Sequence, residues 1–159
     1  MIRLYIALYR SKAAYQWVLI CVDDSQPLTT TKPVHQFQII EEPPNVWHTK
    51  HGTIPLSTPT NPLLGCIRLP GIPTSGVLRL QDICEVISEY GEGPPQGSDH
   101  AHRWSPARWV MNVLRDLAQE HGLLDLVVDE AFHQRVLARG SQMEKIAPGG
   151  PNATTIVDL

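Results

Sequence analysis

The chain has 159 residues, of which 42% are hydrophobic and 18% charged, with a formal net charge of −3 at neutral pH. That length and apolar content suit one globular domain with a buried core and exclude an intrinsically disordered chain. The slightly acidic balance gives no electrostatic reason to expect nucleic acid or an anionic membrane surface as partner, and no segment approaches the roughly 20 apolar residues of a membrane span. Three cysteines, Cys21, Cys66 and Cys84, are an odd number without paired metal spacing. A disulfide framework is therefore not expected, and a reducing, cytoplasmic location fits. No secretory signal pattern is visible, so the sequon at Asn152 is not expected to carry sugar.

Arg3 to Tyr9 is rich in β-formers, and Tyr15 to Val22 is a near-continuous apolar run. Eight residues favour a buried central strand over a helix, and the short link at 10–13 lets the two runs pair as a hairpin. A loop with a threonine run follows from Asp23 to Pro33. Val34 to Ile40 then alternates, with Val34, Gln36, Gln38 and Ile40 on one face and His35, Phe37 and Ile39 on the other, which predicts a strand. Glu41 to Pro62 carries five prolines and reads as a surface path with a short strand near 46–48. Leu63 to Leu69 reads as a further strand, stopped by Pro70-Gly71.

Helical spacing appears at Leu80, Ile83, Cys84, Val86 and Ile87, predicting a helix over 77–90 that stops at Gly91. Glu92 to Arg103 is a loop rich in Gly, Pro and His. A second helix is expected over 105–121. Ser105 is a good N-cap, Pro106 falls at the first helical position where a missing N–H costs nothing, and Val110, Val113, Leu114 and Leu117 share one apolar face. A third helix is predicted over 129–139, with Phe132, Val136 and Leu137 facing inward. Residues 147–159 form a Pro/Gly-rich tail whose Thr154 to Val157 suit addition to a sheet edge. Strands first and helices after predict an α+β domain over 1–146, with a mostly antiparallel sheet of four to six strands and two to three helices.

Several of these segments together resemble a known group. Tyr15-Gln16-Trp17-Val18-Leu19-Ile20 is similar to the Tyr-His-Trp-Ala-Leu strand of permuted papain-like proteins, which include the lecithin retinol acyltransferase-like enzymes and a widespread family of small fungal proteins. Val34-His35-Gln36-Phe37 resembles the next strand of that group, which carries a second polar residue. Ser105-Pro106-Ala107-Arg108-Trp109-Val110 resembles the Asn-Cys-x-x-Trp/Phe-Val motif that opens its catalytic helix. Arg3 to Tyr9 resembles the Arg-Leu-Tyr-x-Ala-Leu-Tyr start of the fungal family. The resemblance covers residues 3 to 120. It implies a permuted papain-like fold with a cleft between the strands of Gln16 and His35 and the helix headed by Pro106.

The departures from the motif decide the chemistry. Pro106 stands where the resemblance places the nucleophile, and Gln16 where it places the base. Proline offers no nucleophile and a glutamine amide does not titrate. The thiolate mechanism of a cysteine hydrolase or acyltransferase is therefore absent. The resemblance then implies a degenerate scaffold expected to bind a small molecule or peptide in the former cleft. Tyr15, Trp17, Trp47, Trp104, Ser105, Pro106 and Arg108 are its expected binding residues. In the alternative reading the chain is a biosynthetic enzyme, a cyclase, isomerase or lyase, in which His35 is a non-covalent acid or base and Gln16, Tyr15 or Arg108 orients the substrate. A third reading makes the chain a structural subunit of an assembly, and a homo-oligomer is compatible with all three.

Each candidate also has an ordinary structural reading. Gln16 suits a strand glutamine that caps a backbone group, His35 a satisfied structural histidine, and Ser105 a hydroxyl already engaged as a helix cap. Cys66 and Cys84 suit small buried apolar positions. His48, His51, Asp99, His100 and His102 bring a metal to mind, but their loops fix no geometry and their spacing lacks a zincin signature, so neither a metal nor another cofactor is expected.

Overall fold

In a computed structural model the described residues are 1–12, 15–73, 78–94, 104–146 and 152–159. They form β1 (Ile2–Arg10), β2 (Tyr15–Asp23), β3 (Pro33–Phe37), β4 (Ile39–Glu41), β5 (Trp47–Thr49), β6 (Gly52–Pro55), β7 (Leu63–Arg68), α1 (Leu80–Ser88), α2 (Pro106–Gln119), α3 (Glu130–Glu144) and β8 (Ile156–Asp158). The architecture is α+β. Six strands make one sheet in the order β6-β3-β2-β1-β7-β8, antiparallel except for the β7–β8 pair, and β4 and β5 form a separate antiparallel pair.

β1 and β2 run apolar almost throughout because both of their faces are covered. On one face Leu4, Ile6, Leu8, Trp17, Leu19 and Cys21 meet the helices, with Trp109, Val110, Val113, Leu114, Phe132 and Val136 opposite them. On the other face Tyr5, Ala7, Tyr9, Val18 and Ile20 pack with Leu56 and Cys66. The Tyr9 hydroxyl donates to the Leu56 carbonyl at 2.6 Å, which fastens the incoming loop to that face.

Three elements differ from the sequence pattern. The strand expected over 34–40 is broken at Gln38. Its N–H donates to His51 Nδ1 (3.3 Å) and its carbonyl accepts from Lys50 N (2.9 Å), so β3 and β4 pair with different partners. The proline-rich path at 41–62 holds two short strands, β5 and β6, where the sequence pattern predicts one. The third helix runs past Arg139 through Gly140 to Glu144. Gly140 serves there as a contact point, because a Cβ at that position would come within 2.5 Å of the Tyr15 ring.

Other expectations hold in detail. Ser105 caps α2, its hydroxyl accepting from Arg108 N, and Pro106 is the first helical residue. Gly122, at φ 61°, ends that helix region, and Leu123 N donates to the Leu117 carbonyl at 2.8 Å, as in a glycine-terminated helix. The end of the chain adds to the sheet edge as β8, pairing Cys66 with Ile156 and Arg68 with Asp158. Because Leu114 is fully buried on the apolar face of α2, Leu114→Ala is expected to cost about 2–5 kcal/mol of folding free energy. Urea denaturation of the two proteins measures it.

Candidate functional site

The start of β2, the β4–β5 pair, the first turn of α2 and α3 converge on one groove of about 580 Å³. Each element has a local reason to be there. Trp17 is anchored in the helix-side core and so fixes its strand neighbours Tyr15 and Gln16 at the rim. The β4–β5 turn is closed by Asn45, whose left-handed φ of 65° suits a short polar side chain, and whose N–H donates to Glu41 Oε1 at 2.7 Å. That turn carries Trp47 to the groove. Trp104 is held by its indole N–H, which donates to the Glu92 carbonyl at 3.0 Å.

Of the residues the sequence singled out, Tyr15, Gln16, Trp17, Trp47, Trp104, Ser105 and Pro106 all line this groove. Their roles differ. Gln16 is half-buried, and its Nε2 donates to Gln38 Oε1 (3.2 Å) and to the Ile39 carbonyl (3.3 Å). This is the backbone-capping geometry of its ordinary reading, with a second amide added. The Ser105 hydroxyl is engaged by Arg108 N at 3.2 Å, as its ordinary reading as a helix cap has it.

Arg108 and His35 are not brought to the groove. Arg108 turns to Glu130 on α3, with 3.7 Å between Nη2 and Oε2. His35 sits opposite Cys21 in the β2–β3 register, with Nδ1 3.2 Å from Thr53 Oγ1. It borders a different and smaller pocket, of about 220 Å³, with Cys21, Lys32 and Leu80. Cys21 lies five residues from Gln16 along β2, about 17 Å at strand rise. The cleft expected to hold Gln16 and His35 together is therefore two separate places.

The histidine of the groove is instead His133, with Leu137 beside it on α3. Its ring meets Trp17 edge-on, with centroids 5.4 Å apart. Its Nδ1 lies 3.4 Å from Glu130 Oε1. The Glu130 carboxyl is held below the usual carboxylate range, first by its hydrogen bond from Gln134, with His133 and Arg108 adding to it. Sequence reasoning missed His133 because its link to Trp17 spans most of the chain. The one local signal was its place in the first turn of a helix capped by Asp129 and led by Glu130.

His51 does structural work next door. Its ring lies between Phe37 and Trp109, at centroid distances of 5.3 and 5.6 Å, and its Nδ1 accepts from Gln38 N. That bond puts the proton of the neutral ring on Nε2. Burial pushes its pKa below the ordinary value, and Glu92 opposes the shift. His48 lies outside this packing, exposed, with Nδ1 3.9 Å from Glu92 Oε2. Asp99, His100 and His102 fall outside the described residues. Among the described residues no three His, Cys, Asp or Glu side chains are placed to hold a metal ion, and no helix is long and apolar enough to cross a membrane.

The groove thus combines four aromatic side chains, a fixed amide pair and an imidazole with a carboxylate 3.4 Å away. It can hold a flat or apolar body and exchange a proton with it. Searches with this chain match no family model, no curated protein and no solved structure at a significant level.

Two measurements follow from this geometry. Gln38 is only 8% exposed, so Gln16→Ala, which leaves the Gln38 amide oxygen short of a donor, is expected to cost about 1–3 kcal/mol in a urea titration. The His51 value in the fold lies below its unfolded value of 6.5. The neutral ring therefore stabilises the fold above that value, and the contribution is lost as the pH falls from there through the folded value. His51→Asn keeps an acceptor for Gln38 N, and its Tm is expected to fall less than that of the parent protein as the pH is lowered from about 7 to 5.

Proposed function

We propose that the groove at the start of α2 binds a small molecule or a short peptide segment on a permuted papain-like scaffold without thiol chemistry. The observation that carries this reading is the meeting of two distant segments. Tyr15, Gln16 and Trp17 share one groove with Ser105 and Pro106, as the nucleophile and base segments of that scaffold would. With Pro106 and Gln16 in those two places, the groove retains shape, aromatic surface and hydrogen-bonding groups but no sulfur nucleophile. A flat ligand would lie against Trp47 and Trp104 and direct a polar group toward Gln16.

A second reading is favoured by one specific feature, the His133–Glu130 pair on the groove wall. There the chain is an enzyme of non-covalent proton transfer, a cyclase, isomerase or lyase. His133 takes the acid–base role that the sequence had suggested for His35, and Glu130 orients it.

Thermal-shift screening of small-molecule and peptide panels, followed by titration of the hits, tests the binding reading. Trp47→Ala and Trp104→Ala are expected to weaken binding about tenfold or more, as loss of an aromatic anchor does. Hits whose affinity is unchanged in both variants overturn the groove as the site. With a turned-over ligand in hand, His133→Ala separates the readings, since the enzyme loses rate and the binding protein keeps its ligand. The scaffold itself is tested by the double variant Gln16→His, Pro106→Cys. Its new thiol is expected to be alkylated by iodoacetamide with a pKa well below the usual value of about 8.5. An ordinary thiol pKa there removes the likeness to a papain-type site.

A further inference from the structure

The aromatic groove has a charge character that its ligand must match. Glu41 and Trp47 stand opposite each other in the β4–β5 register, and so project from the same face of that pair. One oxygen of the Glu41 carboxylate accepts from Asn45 N at 2.7 Å, and among the described residues no lysine or arginine pairs with it. Of the described residues that line the groove, Glu41 is the one acidic side chain, and none is a lysine or arginine. Arg10 and Arg108, next in sequence to lining residues, are engaged elsewhere, with Glu144 and Glu130.

The aromatic walls are tied to one another through Glu92. Its carbonyl accepts from the Trp104 indole N–H at 3.0 Å, and its carboxylate accepts from Thr49 N, two residues beyond Trp47 on β5. The polar edge of the Trp104 ring is thereby used, which leaves its π surface for a ligand. Tyr15 and Trp47 line the same groove, both half-buried. Ring faces carry negative potential, and a carboxylate without a cationic partner adds to it. A methylated ammonium matches such a surface, because it brings positive charge and apolar methyl groups without N–H donors that need partners.

We propose that the ligand of the groove is a small organic cation carrying a methylated ammonium group. This rests on the reading of the groove as a binding site and names the class of molecule it takes. The ammonium sits against Trp47 beside Glu41, with Trp104 and Tyr15 supplying further aromatic surface. The rest of the molecule runs toward Gln16, since about 580 Å³ holds far more than an ammonium head. An anionic ligand meets the Glu41 carboxylate and is disfavoured.

The test titrates the full chain, by calorimetry, with choline, with benzyltrimethylammonium and with dimethylbutanol, the uncharged carbon isostere of choline. Choline is expected to bind about tenfold more tightly than the isostere. Glu41→Gln keeps an acceptor for Asn45 N and is expected to weaken both cations about fivefold while leaving the isostere unchanged. Trp47→Leu keeps apolar bulk but loses the ring face, and is expected to weaken the cations about tenfold and reduce their advantage over the isostere. Should Trp47→Leu not fold, Glu41→Gln decides alone. Four outcomes overturn the proposal. The isostere binds as tightly as choline, neither cation binds, cation affinity is unchanged in the variants, or a glycine-flanked trimethyllysine peptide binds tenfold more tightly than either free cation, which makes the partner a protein. If the cations fail while other hits from the panels lose affinity in Trp47→Ala and Trp104→Ala, the groove stands as a binding site and only the cationic ligand falls. Hits indifferent to both alanine variants remove the groove itself.

Discussion

The indole of Trp109 is the joint on which the site depends. It is almost fully buried, so it fixes the rotation of α2 over the sheet. Its N–H donates to the Gly91 carbonyl at 2.9 Å, which ties down the segment that also holds Trp104 through Glu92. Its other side meets His51, which supplies the acceptor for Gln38 N. One side chain therefore couples the helix, the segment before it and the break between β3 and β4. A buried aromatic residue with a satisfied N–H is suited to this, since it brings large contact area and a directional bond to the same point.

The break at Gln38 matters more than its length suggests. A continuous strand over 34–40 would keep pairing with β2 and hide the start of that strand. By leaving the ladder at Gln38, the chain sends β4 away to pair with β5, and the turn between them delivers Glu41, Asn45 and Trp47 to the groove. The cost of leaving a ladder is an unpaired backbone group. Here the His51 ring and Lys50 N satisfy both groups of Gln38, and the Gln16 amide takes the side chain.

Local signals made much of the fold legible in the sequence. The cap, the proline and the apolar spacing of α2 all lie within one stretch of chain, and each obeys a short-range rule. The paired apolar runs of β1 and β2 are equally local. The break at Gln38 was not legible, because its cause, His51, lies 13 residues away. The passage of α3 through Gly140 was not legible either, because what favours glycine there is the Tyr15 ring. The groove shows the same division. Its aromatic and cap residues could be named from motifs, whereas His133 enters only by tertiary packing on Trp17, and His35, placed in the cleft by pattern, belongs to the Cys21 pocket instead.

The first turn of α2 shows how much anion affinity a helix start can give up without losing its shape. An uncapped helix start offers four free N–H groups and partial positive charge, the setting that favours a thiolate. In α2 the ring of Pro106 removes one donor, and the Ser105 hydroxyl engages Arg108 N. Trp109 N already donates to the Ser105 carbonyl at 3.0 Å. Within the helix this leaves Ala107 as the first-turn residue whose N–H neither the ring nor the cap takes. Pro106 and Ser105 thus weaken the field that would favour bound negative charge at this helix start. What they spare is the position of the turn, because proline and serine are among the best residues for starting a helix there. Aromatic surface and hydrogen-bonding groups, rather than stabilised negative charge, are what the groove presents.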